Sequence, residues 1–207
     1  MTTLAIEFSS QRRSVAIARD GRLLVETFTD TGRSTSAPRL IAEALQQAGL
    51  ESRDIDRLAV GIGPGSYTGI RRAIATVQGW HLAAGTAVVA VDSFDLLART
   101  AADTNPAPAW LVTDAQRGEW ANVRCVGGLV QGPVTLRPRA DVEAWLAAGE
   151  RVISPDSSLA GAEIDFPTAA LAALLGEDGV PVSPETLAAV YLREAVFAKA
   201  PPPRALP

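Results

Sequence analysis

Gly63-Pro64-Gly65-Ser66-Tyr67-Thr68-Gly69-Ile70-Arg71 is the stretch that decides the fold. It follows a short apolar run, Leu58-Ala59-Val60-Gly61-Ile62, and precedes a segment with Ile70, Ile74, Val77 and His81 at helical spacing. An apolar run, a glycine-rich turn and a 3.6-residue period read as strand, tight turn and helix. Glycine permits positive φ and close approach of other backbone. Free amides at such a strand-to-helix turn can hold an anion. Composition alone fits equally a plain turn with Ser66 or Thr68 capping the helix. No Gly-Lys-Ser/Thr follows, so this is not a P-loop, and the glycine spacing is not that of a dinucleotide fingerprint.

Outward from the turn, Leu4 to Phe8, Ser14 to Arg19 and Arg22 to Thr29 read as three strands, with Asp20-Gly21 as a hairpin turn. A helix is predicted over 35–48, ended by Gly49, with Leu40 and Ile41 on its apolar face. The helix after the glycine turn runs to Ala84, a strand covers Thr86 to Val91, and another helix starts at Ser93. An antiparallel start followed by crossovers predicts a mixed sheet covered by helices. Asp103-Thr104-Asn105-Pro106-Ala107-Pro108 marks a boundary. The pattern then restarts: a strand at Trp110 to Thr113, a hairpin of Trp120 to Val126 and Leu129 to Val130, a helix from Ala140 to Ala148, a strand at Arg151 to Ser154, and a helix around Thr168 to Leu175. This divides the chain into an α/β half at 1–104, a smaller α/β half at 105–190, and a tail at 191–207 in which Pro201-Pro202-Pro203 is expected to be extended or disordered.

The 207 residues are 47% hydrophobic and 20% charged, the balance of a soluble globular protein. A net charge of −4 argues against unaided nucleic-acid binding, which needs a basic footprint. A single cysteine, Cys125, excludes an intrachain disulfide and a cysteine-rich zinc site, and its place in a strand reads as core. The one histidine, His81, excludes a His-Glu-x-x-His zinc site. It also lies fifteen residues beyond Ser66 on one helix, about 22 Å at 1.5 Å per residue, too far to act as base to a serine nucleophile. No basic region precedes the first apolar run, so no signal peptide is read, and no run reaches the roughly 20 residues of a membrane span.

The nine-residue stretch, followed by Gln78-Gly79, resembles the signature of the TsaB (YeaZ) family, which serves formation of threonylcarbamoyladenosine (t6A) in bacterial transfer RNA. Asp114-Ala115-Gln116-Arg117-Gly118-Glu119 resembles the family's Asp-Ala-Arg-x-Gly-Glu run, and Tyr191-Leu192-Arg193 a Tyr-Leu-Arg near its end. The resemblance is poorest at 127–185, and residues 31–40 lack a histidine the family often has there. It implies the α/β actin, hexokinase and Hsp70 (ribonuclease H-like) fold: two α/β halves with mixed sheets, the second abbreviated. It implies a non-catalytic subunit, cytoplasmic and off the membrane, that scaffolds and activates TsaD. TsaE joins the complex, transfer RNA is met only through it, and the subunit forms a homodimer when alone.

Three groups of site residues follow. The signature turn is Gly63, Pro64, Gly65, Ser66, Tyr67, Thr68, Gly69 and Arg71. The partner interface is expected on the two helices, at Leu40, Ile41, Ile70, Ile74, Val77, Gln78 and His81. A degenerate nucleotide cleft is expected at Glu7, Ser9, Ser10, Asp114 and Gly118; Glu7 reads more readily as an acid at a strand end whose hydroxyl neighbours tie down the turn, and Asp114 equally as a turn stabiliser. In active members of that superfold a glycine lets the first turn wrap a phosphate. No glycine stands between Glu7 and Ser14 here. No catalytic residue, metal or resident cofactor is therefore expected; weak ATP or ADP binding with magnesium in the complex is left to test. The rival readings are an ATP-dependent phosphotransferase or ATPase of the same superfold and, opposed by the histidine count, a glycoprotease-like metallopeptidase.

Overall fold

The computed structural model describes residues 1–30 and 36–193. Thr35, Glu194 and the triple proline, all part of the readings above, lie outside the described residues, as does all of the tail beyond Arg193.

The first half is a five-stranded sheet in the order β3-β2-β1-β4-β5. Its strands are β1 (Thr2–Glu7), β2 (Arg13–Arg19), β3 (Arg22–Thr29), β4 (Arg57–Gly61) and β5 (Ala87–Val91). β1, β2 and β3 pair antiparallel, whereas β1–β4 and β4–β5 are parallel. The crossovers are α1 (Ala37–Ala48) and α2 (Tyr67–Ala84), with α3 (Ser93–Thr104) following β5. Their starts are set locally: Pro38 in the first turn of α1, Ser66 accepting from the Gly69 amide at α2, Asp92 accepting from Phe94 and Asp95 at α3.

The second half repeats this topology. β6 (Ala109–Asp114), β7 (Glu119–Val126), β8 (Leu129–Pro138), β9 (Val152–Ser154) and β10 (Glu163–Ile164) form a sheet ordered β10-β9-β6-β7-β8. The hairpin strands are again antiparallel and the later pairs parallel. α4 (Arg139–Ala147) takes the place of α1 and α5 (Ala169–Asp178) that of α3. No helix joins β9 to β10, and these strands are only 3 and 2 residues long, so the second half is abbreviated at the counterpart of α2.

Residue size explains the layers. On one face of the first sheet Leu4, Ile6, Val15, Ile17, Leu58 and Val60 pack against α1 and α2. On the other face Ala5, Ala16, Ala18 and Ala59 meet Ala169, Ala172 and Ala173 of α5. Alanine against alanine lets that helix lie close to the strands: a Cβ on Gly176 would come 2.7 Å from the Ala59 Cβ. α5 thus belongs to the second half in sequence but covers the first sheet. Conversely α3 packs Phe94, Leu97, Ala98 and Ala101 onto Leu111, Ala121, Val123 and Ile153 of the second sheet. The chain boundary after Thr104 therefore does not divide the core.

Three elements differ from expectation. β8 runs to Pro138 rather than stopping at Val130, because Gly132-Pro133 interrupts the apolar pattern of an exposed edge strand. α1 begins at Ala37, and the two-residue β10 carries no pattern to read.

Candidate functional site

The signature turn is built onto the end of β1. Gly65 has φ 150°. A Cβ there would meet the Ser9 carbonyl at 2.2 Å, and one on Gly69 would meet the Phe8 carbonyl at 2.0 Å. Both glycines are required because the turn lies directly on residues 8–9. The Ser66 amide donates to Ser9 O at 2.6 Å, fastening the two loops. Gly63 (φ 98°) exchanges bonds with Ser93: its amide donates to Ser93 Oγ at 3.0 Å and its carbonyl accepts from the Ser93 amide at 2.8 Å.

Glu7 lies beneath this turn and is 0% exposed. Its Oε1 accepts from the Ser9 amide at 2.6 Å and its Oε2 from Ser93 Oγ at 2.9 Å. Gly61 makes room, since a Cβ there would lie 1.8 Å from Oε2. Burial pushes the carboxyl up from its ordinary range, against the opposing pull of the bonds from Ser9 and Ser93. Glu7 was expected in the cleft and is not among the residues that line it. Its carboxylate is turned inward to hold the turn.

The cleft between the halves has a volume of about 680 Å³. One wall is Ser9, Ser10, Arg13 and the start of α2; the other is Thr113 to Gln116 with Asp156; the segment 190–193 closes one side. Ser9, Ser10 and Asp114 are thus in the cleft, whereas Gly118 is not: it sits with φ 76° in the hairpin turn behind. Asp114 accepts from the Gln116 amide at 2.7 Å and from its side-chain amide at 3.1 Å. Asp156 accepts from Thr113 Oγ1 at 2.9 Å and the Asp114 amide at 2.8 Å. Each carboxylate braces a turn. Among the described residues no group of three or more His, Cys, Asp or Glu is placed to hold a metal ion.

Three arginines near the cleft escaped the sequence reading as site residues. Arg193 donates to the carbonyls of Ala115 and Gln116, each at 2.8 Å, and to Glu119 at 2.9 Å. It clasps a turn in which Gln116 and Arg117 both hold positive φ, 65° and 60°. Arg13 and Arg72 line the opposite wall. Arg13 is 4% exposed, and burial, then Arg72, pulls its pKa down. In the sequence Arg12-Arg13 and Arg71-Arg72 stand as pairs, open to reading as a local arginine patch and more usually solvated surface, and that pairing does not separate the buried Arg13 from its half-buried neighbour Arg12.

The helix residues expected at a partner interface need correction. Leu40, Ile41, Ile70, Ile74 and Val77 are buried in the chain's own core, so their side chains are not available to a partner. Gln78 donates to Pro184 O at 2.7 Å, and His81 Nδ1 pairs with Thr86 O at 2.9 Å, tying the helix end to the next strand. The face of α2 that points outward carries Tyr67, Arg71, Ala75, Gly79 and Leu82, the last 88% exposed. Arg71 hydrogen-bonds Tyr67, whose ring sits 6.0 Å from that of Tyr191. Cys125 is buried among α3 and β6, and burial pushes its thiol up, the opposite of a nucleophile's environment.

Residues 30–181 match the family model described as TsaD, tRNA N6-adenosine threonylcarbamoyltransferase. An uncharacterised protein of Mycobacterium tuberculosis is 35% identical over 150 residues, which is 69% of this chain and 67% of that one. The tRNA threonylcarbamoyladenosine biosynthesis protein TsaB of Escherichia coli is 33% identical over 132 residues, 58% of this chain and 54% of that protein. The match spans about half the length of the curated TsaB relatives. Among solved structures, YeaZ from Pseudomonas aeruginosa superposes with a TM-score of 0.74 at 26% identity, over 92% of this chain and 99% of that one.

Proposed function

The chain belongs to the TsaD-related family through its TsaB (YeaZ) branch, and from that premise we propose that it is a non-catalytic subunit in t6A formation, one that scaffolds and activates a TsaD partner in the cytoplasm. Glu7 is the observation that carries the non-catalytic part. The acid at the end of the first strand is the group the superfold uses around a metal and phosphates, and here both its oxygens are committed to Ser9 and Ser93. The cleft carboxylates Asp114 and Asp156 also brace turns through their hydrogen bonds, and that bracing, with Glu7 turned inward, supports the reading of a cleft built for structure. Among the described residues no helix is long and apolar enough to cross a membrane.

The partner surface we propose is the outer face of α2, with Ala75, Gly79 and Leu82, in place of the buried stripe. Small residues there let a second helix come close, and an apolar side chain as exposed as Leu82 gains by being covered. The same face serves a homodimer when the partner is absent, and TsaE and transfer RNA are met through the complex.

The experiment is complementation. Cells depleted of their own TsaB and supplied with this chain and its cognate TsaD should regain t6A, measured by mass spectrometry of digested transfer RNA. Leu82→Glu, which adds a charge without touching the core, should weaken co-purification with TsaD and reduce t6A. Failure of the folded, expressed wild type to restore the modification refutes the role. An unchanged complex with Leu82→Glu and Ala75→Glu together refutes the surface.

A further inference from the structure

A groove of about 250 Å³ lies between α2 and residues 187–191. It is separate from the cleft between the halves except for Tyr191, which lines both. Ile74 and Ala75 from α2, with Leu187 and Ala189 from the segment, give it an apolar lining, and Ile74 and Ala189 are 6% and 8% exposed. Its walls are held in place: Gln78 donates to Pro184 O at 2.7 Å and the Val190 amide to Ile62 O at 2.9 Å. At the end nearer the start of α2 stands Arg71. It is exposed, donates to the neutral hydroxyl of Tyr67, and among the described residues pairs with no carboxylate. α2 has no Asp or Glu along its 18 residues, and none lines the groove. Arg71 and Ala75 are one helical turn apart, so the cation and the apolar hole stand at the spacing of neighbouring side chains on a helix. Gly79, a further turn along, has open space where a side chain would stand, so a second helix can lie close along this face.

We propose that this groove decides which partner α2 accepts: it takes one apolar side chain from a partner helix, and Arg71 pairs with a carboxylate one turn away on the same helix. Arginine grips a carboxylate with two parallel hydrogen bonds. Arginine and tyrosine beside a pocket are among the side chains that most often anchor an interface. A second copy of this chain packed through α2 brings the same acid-free helix, so it offers Arg71 no carboxylate. The site therefore favours a different, acidic helix over self-association, and the preference is set by charge rather than by area. The inference rests on reading the outer face of α2 as the partner surface, and it names what that surface selects.

The test uses the purified chain with its cognate TsaD in biolayer interferometry, and alone in sedimentation equilibrium. Arg71→Met should bind TsaD about tenfold or more weakly, as for loss of a charged hydrogen-bond donor, while its self-association is no weaker than that of the wild type. Added salt should weaken the wild-type complex more steeply than that of Arg71→Met; a role confined to bracing Tyr67 would leave the two slopes equal. Ala188→Trp, at an exposed position off α2, fills the groove from its other wall and should also weaken the complex. Circular dichroism reports whether each variant folds, and Arg71→Met decides alone if Ala188→Trp does not. Wild-type affinity for TsaD in either folded variant, equal salt slopes, an equal loss of self-association, or an Arg71→Met that does not fold overturns the proposal. If Leu82→Glu weakens the complex and these variants do not, the surface stands and the groove falls. If the wild type binds no TsaD, the subunit role falls and the groove with it.

Discussion

Glu7 holds the signature turn with a group that folding prefers to keep protonated. Burial raises its pKa, so over the interval from the ordinary glutamate value, about pH 4, up to the folded value the folded chain binds more protons than the unfolded one. Stability from this residue is therefore fully present below that interval and is lost as pH rises through the folded pKa. Glu7→Gln keeps an oxygen for the Ser9 amide and removes the titration. The unfolding free energy of the variant relative to wild type, from urea titrations at a series of pH values, should rise from about pH 4 and then level off. A difference that stays flat across the series means the carboxyl is not desolvated as the structure has it. Part of this was legible: an acid at a strand end beside two serines reads as a braced turn. Ser93, which supplies the second brace, is 86 residues away and gave no sign of it. The glycines were legible as places of close backbone approach, but the backbone they approach, Phe8 and Ser9, was not.

At the scale of elements, the stripe at 70, 74 and 77 shows what periodicity can and cannot tell. It identified α2 and its apolar face, yet a face that packs on the chain's own sheet and one that packs on a partner have the same spacing. Only the burial of Ile70, Ile74 and Val77 separates them. The layering on the other face of the sheet is written in the sequence, because β1, β2 and β4 alternate large residues with alanine. It carries a consequence. Ala59 is fully buried between β4 and α5, at a place where even a methyl group on Gly176 would collide. Ala59→Leu should cost about 1–3 kcal/mol by overpacking. Ala42→Leu, on the exposed side of α1, should cost little. Chemical denaturation of the two variants checks this, and equal stabilities would mean that α5 does not lie as close to the sheet as described.

For the whole molecule, the decisive feature is the exchange of α3 and α5. Each half gives its last helix to the other's sheet, so neither core is complete without the other. Two repeats of one topology were legible as two α/β patterns on either side of a proline-rich boundary. The exchange was not, because an amphipathic helix does not say which of two distant sheets it will cover. The last described residues strengthen the junction: the Val190 amide donates to Ile62 O at 2.9 Å in the first half, Leu192 packs on the second core, and Arg193 clasps the second hairpin. Such a chain should unfold as one unit. Trp110, Trp120 and Trp145 all lie in the second half, where Trp110 stacks on Trp145 at 4.3 Å, with Trp80 alone in the first. Tryptophan fluorescence therefore follows mainly one half, while far-ultraviolet circular dichroism follows both. In urea the two curves should superimpose. Arg193→Ala, losing bonds to two carbonyls and to Glu119, should move them together, by about 1–3 kcal/mol. A fluorescence transition that precedes the dichroism, in either protein, would mean that the second half opens alone and that the exchanged helices do not bind the halves into one core.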